Sequence, residues 1–131
     1  MSINPEFSQK IFAGTKRFEY RTRLCKDNVD TIIIYETSPT KMIVGEVSVI
    51  KKLSAEKDKL WQETNSYSGI NESFFYDYFR KQNIANAYAL SKATKYKHPV
   101  PLEVANIKAA PQSFIYIKDE HLLSKIRQAG N

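Results

Sequence analysis

The sequence predicts a single α+β domain spanning residues 1–131. Three observations carry this. Residues 4–14 have the punctuation of a short amphipathic helix: Asn4 as cap, Pro5 at the first helical position, Ile3, Phe7, Ile11 and Phe12 on one stripe, and Gly14 at the exit. Residues 31–36, Thr-Ile-Ile-Ile-Tyr-Glu, form a continuous β-branched run of the kind found in strands buried on both faces. Finally, a chain of 131 residues, 42% of them hydrophobic, can bury one real core, and it shows no repeat, linker or low-complexity tract.

The first helix is expected over 5–13. Gly14 permits a left-handed, tight exit, so that Lys16 projects from the turn into the next strand. If that strand alternates, Arg17, Glu19, Arg21 and Arg23 share a polar face and Phe18, Tyr20, Thr22 and Leu24 point to the core. Arginines around one carboxylate either hold an anionic ligand or form a salt-bridged ladder. After the strand at 31–36, residues 37–40 read as a loop and 41–50 as a strand, in which Gly45 marks a bulge or a close backbone approach. Ser54 is a candidate cap for a helix through Glu63 with Leu60 and Trp61 as buried anchors. A polar loop at 65–70 leads to Asn71, which caps a helix at 72–81. Its Phe74, Phe75, Tyr78 and Phe79 read as a core face rather than a base-stacking platform. A long strand follows at 85–97, broken by His98-Pro99-Val100-Pro101. A closing strand at 113–117 and a terminal helix at 119–128, with Leu122, Leu123 and Ile126 inward, complete the order.

The formal charge is +6, and residues 1–26 hold six Lys/Arg against two Glu. That unevenness favours an anionic partner over simple solubility. Cys25 is the only cysteine, so no internal disulfide can form; this fits a reducing cytoplasm and a packing role at a strand end. The start has no basic region followed by an apolar run, and no segment has the roughly 20 apolar residues of a membrane helix, so neither a signal peptide nor a membrane location is expected. His98 and His121 make no metal set or triad. The phosphate-binding loop, the dinucleotide fingerprint and the G-x-S-x-G elbow are all missing, and no cofactor is expected.

Gly14, Lys16, Glu19 and Arg21 spell G-x-K-x-x-E-x-R. The leading helix, the strand and loop of residues 32–39, Val44-Gly45-Glu46-Val47 and the late Ala110-Pro111-Gln112-Ser113-Phe114 follow in order. In these features the chain resembles the ASCH domain family of the PUA-like class, from about residue 2 to Ile117. The resemblance implies a small, mostly antiparallel β-barrel with flanking helices and a cleft lined by the motif. It implies binding of RNA, single-stranded nucleic acid, or a nucleotide or nucleoside, with a modified base as one option, and a role in RNA metabolism or translation-linked regulation.

The individual residues leave alternatives open. Lys16 is a phosphate contact, a base or nucleophile of lowered pKa, or a solvated turn lysine. Glu19 neutralises Arg17 and Arg21, accepts hydrogen bonds from a base or ribose, or acts as a general base. Arg21 offers a planar fork to phosphate or carboxylate. Tyr35, Ser38 and Lys41 are expected to border the same cleft, Tyr35 by stacking and Ser38 by holding phosphate, or to be a packed hairpin connection. Tyr67 is a loop candidate for stacking. Gln112 and Ser113 either satisfy backbone groups or line the cleft. Lys92, Lys95 and Lys97 either extend a phosphate track or mark a solvated strand.

The other reading is enzymatic: a hydrolase of modified nucleosides or RNA. A subgroup that the chain resembles removes the acetyl group of acetylated cytidine nucleosides. It has a lysine at the position of Lys16, a threonine where this chain has Glu19, and a later glutamate for which Glu63 and Glu72 are the stand-ins. Lys16 and Glu19 are the catalytic candidates on this reading.

Overall fold

A computed structural model describes residues 1–26, 28, 30–105 and 120–131. The elements are β1 (Ser2–Ile3), α1 (Pro5–Ala13), β2 (Phe18–Arg21), β3 (Thr31–Glu36), β4 (Met42–Glu56), α2 (Lys57–Thr64), α3 (Glu72–Tyr78), β5 (Ile84–Val100) and α4 (Glu120–Gly130), with short 3-10 turns at Asn65–Tyr67 and Leu102–Ala105. The expected strand at 113–117, and with it Gln112 and Ser113, lies outside the described residues.

The five strands form one sheet in the order β1-β3-β4-β5-β2. All pairings are antiparallel except β1 with β3. The fold is the expected α+β arrangement of the PUA-like class, but among the described residues the sheet is not closed into a barrel. Its edges, β1 and β2, are not paired with each other. They are drawn together by a side chain: Arg21 Nη2 on β2 donates to the Ser2 carbonyl on β1 at 2.9 Å.

The local signals act as their chemistry requires. Asn4 Oδ1 accepts from the Glu6 N–H at 3.0 Å, and Gly14 ends α1 at φ 81°. Asn71 Oδ1 accepts from the Phe74 N–H at 2.8 Å and starts α3. In β3, Ile32, Ile33, Ile34 and Tyr35 are all buried, because helices cover both faces of the curled sheet. Gly45 stands at a register shift, and a Cβ there would lie 2.4 Å from the Thr94 carbonyl and 2.7 Å from the Phe12 ring.

Long-range pairing overrides local signals in two places. Ser54 does not cap a helix: β4 runs on to Glu56, paired through Glu56–Ile84 with β5, and α2 begins at Lys57. His98-Pro99 does not end β5. Between the pairs Gly45–Lys95 and Ile43–Val100 the strand makes an excursion, and Pro99, which has no N–H to donate, sits within it. In β2 the alternation holds only as far as the strand does. Glu19 and Arg21 pair with each other and Phe18 and Tyr20 join the core, but the strand stops at Arg21, and Arg17 and Arg23 are exposed outside it.

Three clusters form the interior. Ile11, Ile34, Val44 and Tyr88 lie between α1 and the sheet. Ile33, Tyr35, Tyr96, Val100 and Ile126 seat α4. Tyr20, Leu60, Phe75 and Phe79 seat α2 and α3. Among the described residues no helix is long and apolar enough to cross a membrane.

Candidate functional site

The gap between the sheet edges is a cleft of about 190 Å³. β1 contributes Ser2 and Ile3 to it, β2 contributes Glu19, Tyr20 and Arg21, and α3 contributes Phe74 and Tyr78, with Lys16, Phe7 and Ile70 on the walls.

The turn after α1 places Lys16. Gly14 reverses the chain, and the Thr15 and Lys16 N–H groups both donate to the Lys10 carbonyl, at 3.0 and 3.1 Å. This winds Lys16 inward, not out of the turn as its sequence position suggests, and the residue is only 2% exposed. Its Nζ donates to the Ser68 carbonyl at 2.6 Å, lies 3.8 Å from Glu19 Oε1, and stands 5.5 and 5.1 Å from the ring centres of Phe7 and Tyr20. Burial pushes the Lys16 ammonium below its ordinary pKa, and the Glu19 carboxylate opposes that shift. Gly69 makes this geometry fit. At φ 71° it passes so close that a Cβ would lie 2.8 Å from Cβ, Cγ and Cδ of Lys16.

Glu19 sits between two cations, with Arg21 Nη2 3.3 Å from Oε2. The Arg21 fork is only partly used. Nη2 serves Glu19 and Ser2, while Nε is buried with no hydrogen-bond partner among the described residues. Tyr20 OH and Thr64 Oγ1 are 2.6 Å apart, and Thr64 Oγ1 donates to the Leu60 carbonyl at 2.7 Å, so the phenol is the donor of the pair. Burial pushes Tyr20 up to about 12 and Tyr78 upward too, so both phenols are neutral at physiological pH. Tyr78 OH accepts from the Thr22 N–H at 3.2 Å. Lys16 and Arg21 against Glu19 leave the cleft with one net positive charge.

The sequence candidates therefore separate. Lys16, Glu19 and Arg21 share the cleft. Arg17 turns outward, its guanidinium carbon 4.3 Å from the centre of the half-exposed Tyr67 ring, so these two meet each other beside the cleft rather than in it. Tyr35 does not border the cleft. It is 5% exposed, and its ring packs with Ile33, Tyr96, Val100 and Ile126, which leaves no face for a base. Ser38 and Lys41 are exposed on the β3–β4 connection and do not line the cleft either. Glu63 and Glu72 are exposed and lie outside it, so neither stands in for the later glutamate expected of a nucleoside hydrolase. Among the described residues no cluster of His, Cys, Asp or Glu is placed to hold a metal.

Sequence reasoning missed Phe74, Tyr78, Ser68 and Gly69. The signal was present in α3. Phe75 and Phe79 are one i,i+4 pair and are buried, whereas Phe74 and Tyr78 are a second pair on the adjacent face, wider than the core requires. Phe74 is 47% exposed and meets Phe7 edge-on, with ring centres 5.6 Å apart, at the cleft mouth.

The model of the ASCH domain matches residues 1–109. The chain belongs to the ASCH domain family. Over 125 residues it is 27% identical to an ASCH domain-containing ribonuclease of Zymomonas mobilis, covering 92% of this chain and 84% of that protein. Stretches of two Ureaplasma parvum proteins are also similar: ATP synthase subunit alpha, at 29% over 119 residues, and large ribosomal subunit protein uL22, at 28% over 120 residues. The chain spans only 15% and 38% of their lengths. The crystal structure of ASCH from Zymomonas mobilis superposes with a TM-score of 0.90 at 24% identity, covering 100% of this chain and 94% of that one. This ASCH chain thus shares its fold with that protein.

Proposed function

We propose that this ASCH domain binds RNA by taking one nucleotide into the cleft between β1 and β2. The observation that carries this is the Arg21 guanidinium: a partly buried fork that lines a cleft with one net positive charge and whose Nε–H has no partner among the described residues. A buried donor left unmade costs about 1–3 kcal/mol, and an acceptor oxygen of a ligand recovers it. Glu19 accepts from an amino or hydroxyl donor of the same ligand. Phe74, exposed at the mouth, offers a ring on which a base stacks. The ribonuclease relative supports RNA as the ligand class. The cleft is too small to read a long sequence, and a modified base is accommodated as readily as a standard one.

Lys16 acts here as a fixed cation that orients Glu19, because it is buried, with one N–H on the Ser68 carbonyl and Nζ 3.8 Å from Glu19 Oε1. Hydrolysis of an acylated nucleoside has less support, since among the described residues Glu19 is the one carboxylate that lines the cleft.

The test is anisotropy of a labelled single-stranded RNA with wild type, Glu19→Gln and Arg21→Lys, each checked for folding. Arg21→Lys keeps the charge and loses the fork, and is expected to weaken binding about tenfold or more. Wild-type affinity in both variants would remove the cleft as the site.

A further inference from the structure

A second groove, of about 540 Å³, lies on the other side of the turn that carries Lys16. Gly14 and Arg17 border it from the α1–β2 turn, Ile50 and Lys51 from β4, and Ser91 and Lys92 from β5. Arg17, Lys51 and Lys92 are all exposed, and no acidic residue lines the groove among the described residues. The sheet is irregular here. Between the pairs Val47–Ala93 and Val49–Leu90 the register slips, so Ser91 and Lys92 have no partner residue on β4. Between Val49–Leu90 and Lys51–Ala89 it slips again and leaves Ile50 without one on β5. Bulges of this kind re-aim side chains and release backbone groups from the ladder. Ile50, 64% exposed, stands among the cations as the apolar part of the surface. Arg17 is held in place by its stack on Tyr67 and by Nε donating to the Gly14 carbonyl at 3.3 Å.

We infer that this groove is a second binding site, for the phosphate backbone of the RNA strand whose nucleotide occupies the cleft. The inference rests on the RNA reading above and extends it. Two features select a nucleic-acid strand. One is the unrelieved positive charge along a track. The other is proximity: buried Lys16 is the wall shared by the groove and the cleft, and a strand that leaves the cleft over the exposed Arg17, stacked on Tyr67, meets Lys51 and Lys92 next. Exposed lysines at such a track contact phosphates without reading sequence.

The experiment compares a short single-stranded RNA with a nucleoside monophosphate, against wild type, Lys51→Ala/Lys92→Ala and Arg21→Lys, over a salt series. Both lysines are exposed strand residues whose replacement leaves the core intact, and circular dichroism checks it. The double variant is expected to bind the RNA about tenfold more weakly, with a salt slope shallower by about 1.4, or about 0.7 for each lost phosphate contact, and to bind the monophosphate as wild type does. Unchanged RNA affinity and slope in the double variant overturn the groove, even where Arg21→Lys weakens both ligands and upholds the cleft. Loss in the double variant with none in Arg21→Lys supports the groove and sinks the cleft. Binding of a poly-glutamate peptide but of no RNA by wild type overturns the inference in favour of an acidic protein partner.

Discussion

Lys16 is a buried cation, and its tolerance is explained by what surrounds the ammonium and its stem. Taking such a charge out of water costs several kcal/mol. The charge-assisted bond to the Ser68 carbonyl, the Glu19 carboxylate and the faces of Phe7 and Tyr20 offset that cost. The stem itself is accommodated by an atom that Gly69 lacks. Since the clashing atoms in a Gly69→Ala chain are Cβ, Cγ and Cδ of Lys16, near the backbone, the side chain cannot swing away at its tip. The alanine would also have to hold φ near 71°. Gly69→Ala is expected to lose about 1–3 kcal/mol of stability in urea unfolding and to weaken ligand binding by displacing Lys16 from Glu19. An unchanged denaturation midpoint would show that the 65–70 loop moves freely and that Gly69 does not position the lysine.

At the scale of elements, a carboxylate on the sheet adds polar bonds to the apolar seat of α4. Glu46 Oε1 accepts from Tyr96 OH at 2.7 Å and from Arg127 Nε at 2.8 Å, and Oε2 accepts from Arg127 Nη2 at 2.7 Å. Ile126 and Gly130 pack beside this pair, Gly130 against the Tyr96 ring. The Arg127 hydrogen bonds hold the Glu46 carboxyl below its ordinary pKa of 4.5, against the opposing pull of burial. As pH falls, the unfolded chain takes up this proton before the folded one. The contribution of Glu46 is therefore complete above about pH 4.5 and is lost as pH falls through the depressed folded value. Glu46→Gln is expected to be about 1–3 kcal/mol less stable than wild type at neutral pH, with the two converging in acid. A constant difference across the acid range would assign the effect to packing alone. Nothing local in the sequence pairs Glu46 with Arg127, and the same limit explains which elements could be read beforehand. The caps Asn4, Gly14 and Asn71 and the run at 31–36 are short-range signals, and they hold. Ser54 and His98-Pro99 carry equally clear local signals, yet β4 and β5 pair across them, because ladder bonds between distant strands outweigh one cap or one proline at a bulge.

For the whole molecule, the cleft exists because β1 and β2, the edges of the sheet among the described residues, face each other unpaired, and this decides how much of the site the sequence could reveal. Lys16, Glu19 and Arg21 are close in sequence and reach the cleft together. Phe7, Phe74 and Tyr78 reach it because α1 and α3 meet at the same gap, while Tyr35 packs into the core with Ile33, Tyr96 and Ile126. The link across the gap is Arg21 Nη2 to the Ser2 carbonyl. β1 has two residues, and its ties to β3 include the Met1 amino group donating to the Ile33 carbonyl at 2.7 Å, the Tyr35 N–H to the Met1 carbonyl at 2.9 Å and the Thr37 N–H to the Ile3 carbonyl at 3.0 Å. So short an edge strand opens locally unless something spans the gap. A hydrogen bond from a charged donor contributes about 1.5–3 kcal/mol, so Arg21→Ala is expected to speed amide exchange at Tyr35 and Thr37 about tenfold or more. The amides that pair β3 with β4 should keep their protection. A ligand that engages Arg21 in wild type draws the two edges together and slows the same two amides. Equal exchange at Tyr35 and Thr37 in wild type and Arg21→Ala would mean that β1 holds without the link. The weaker binding expected of Arg21 variants would then report the lost ligand contact itself rather than a loosened edge.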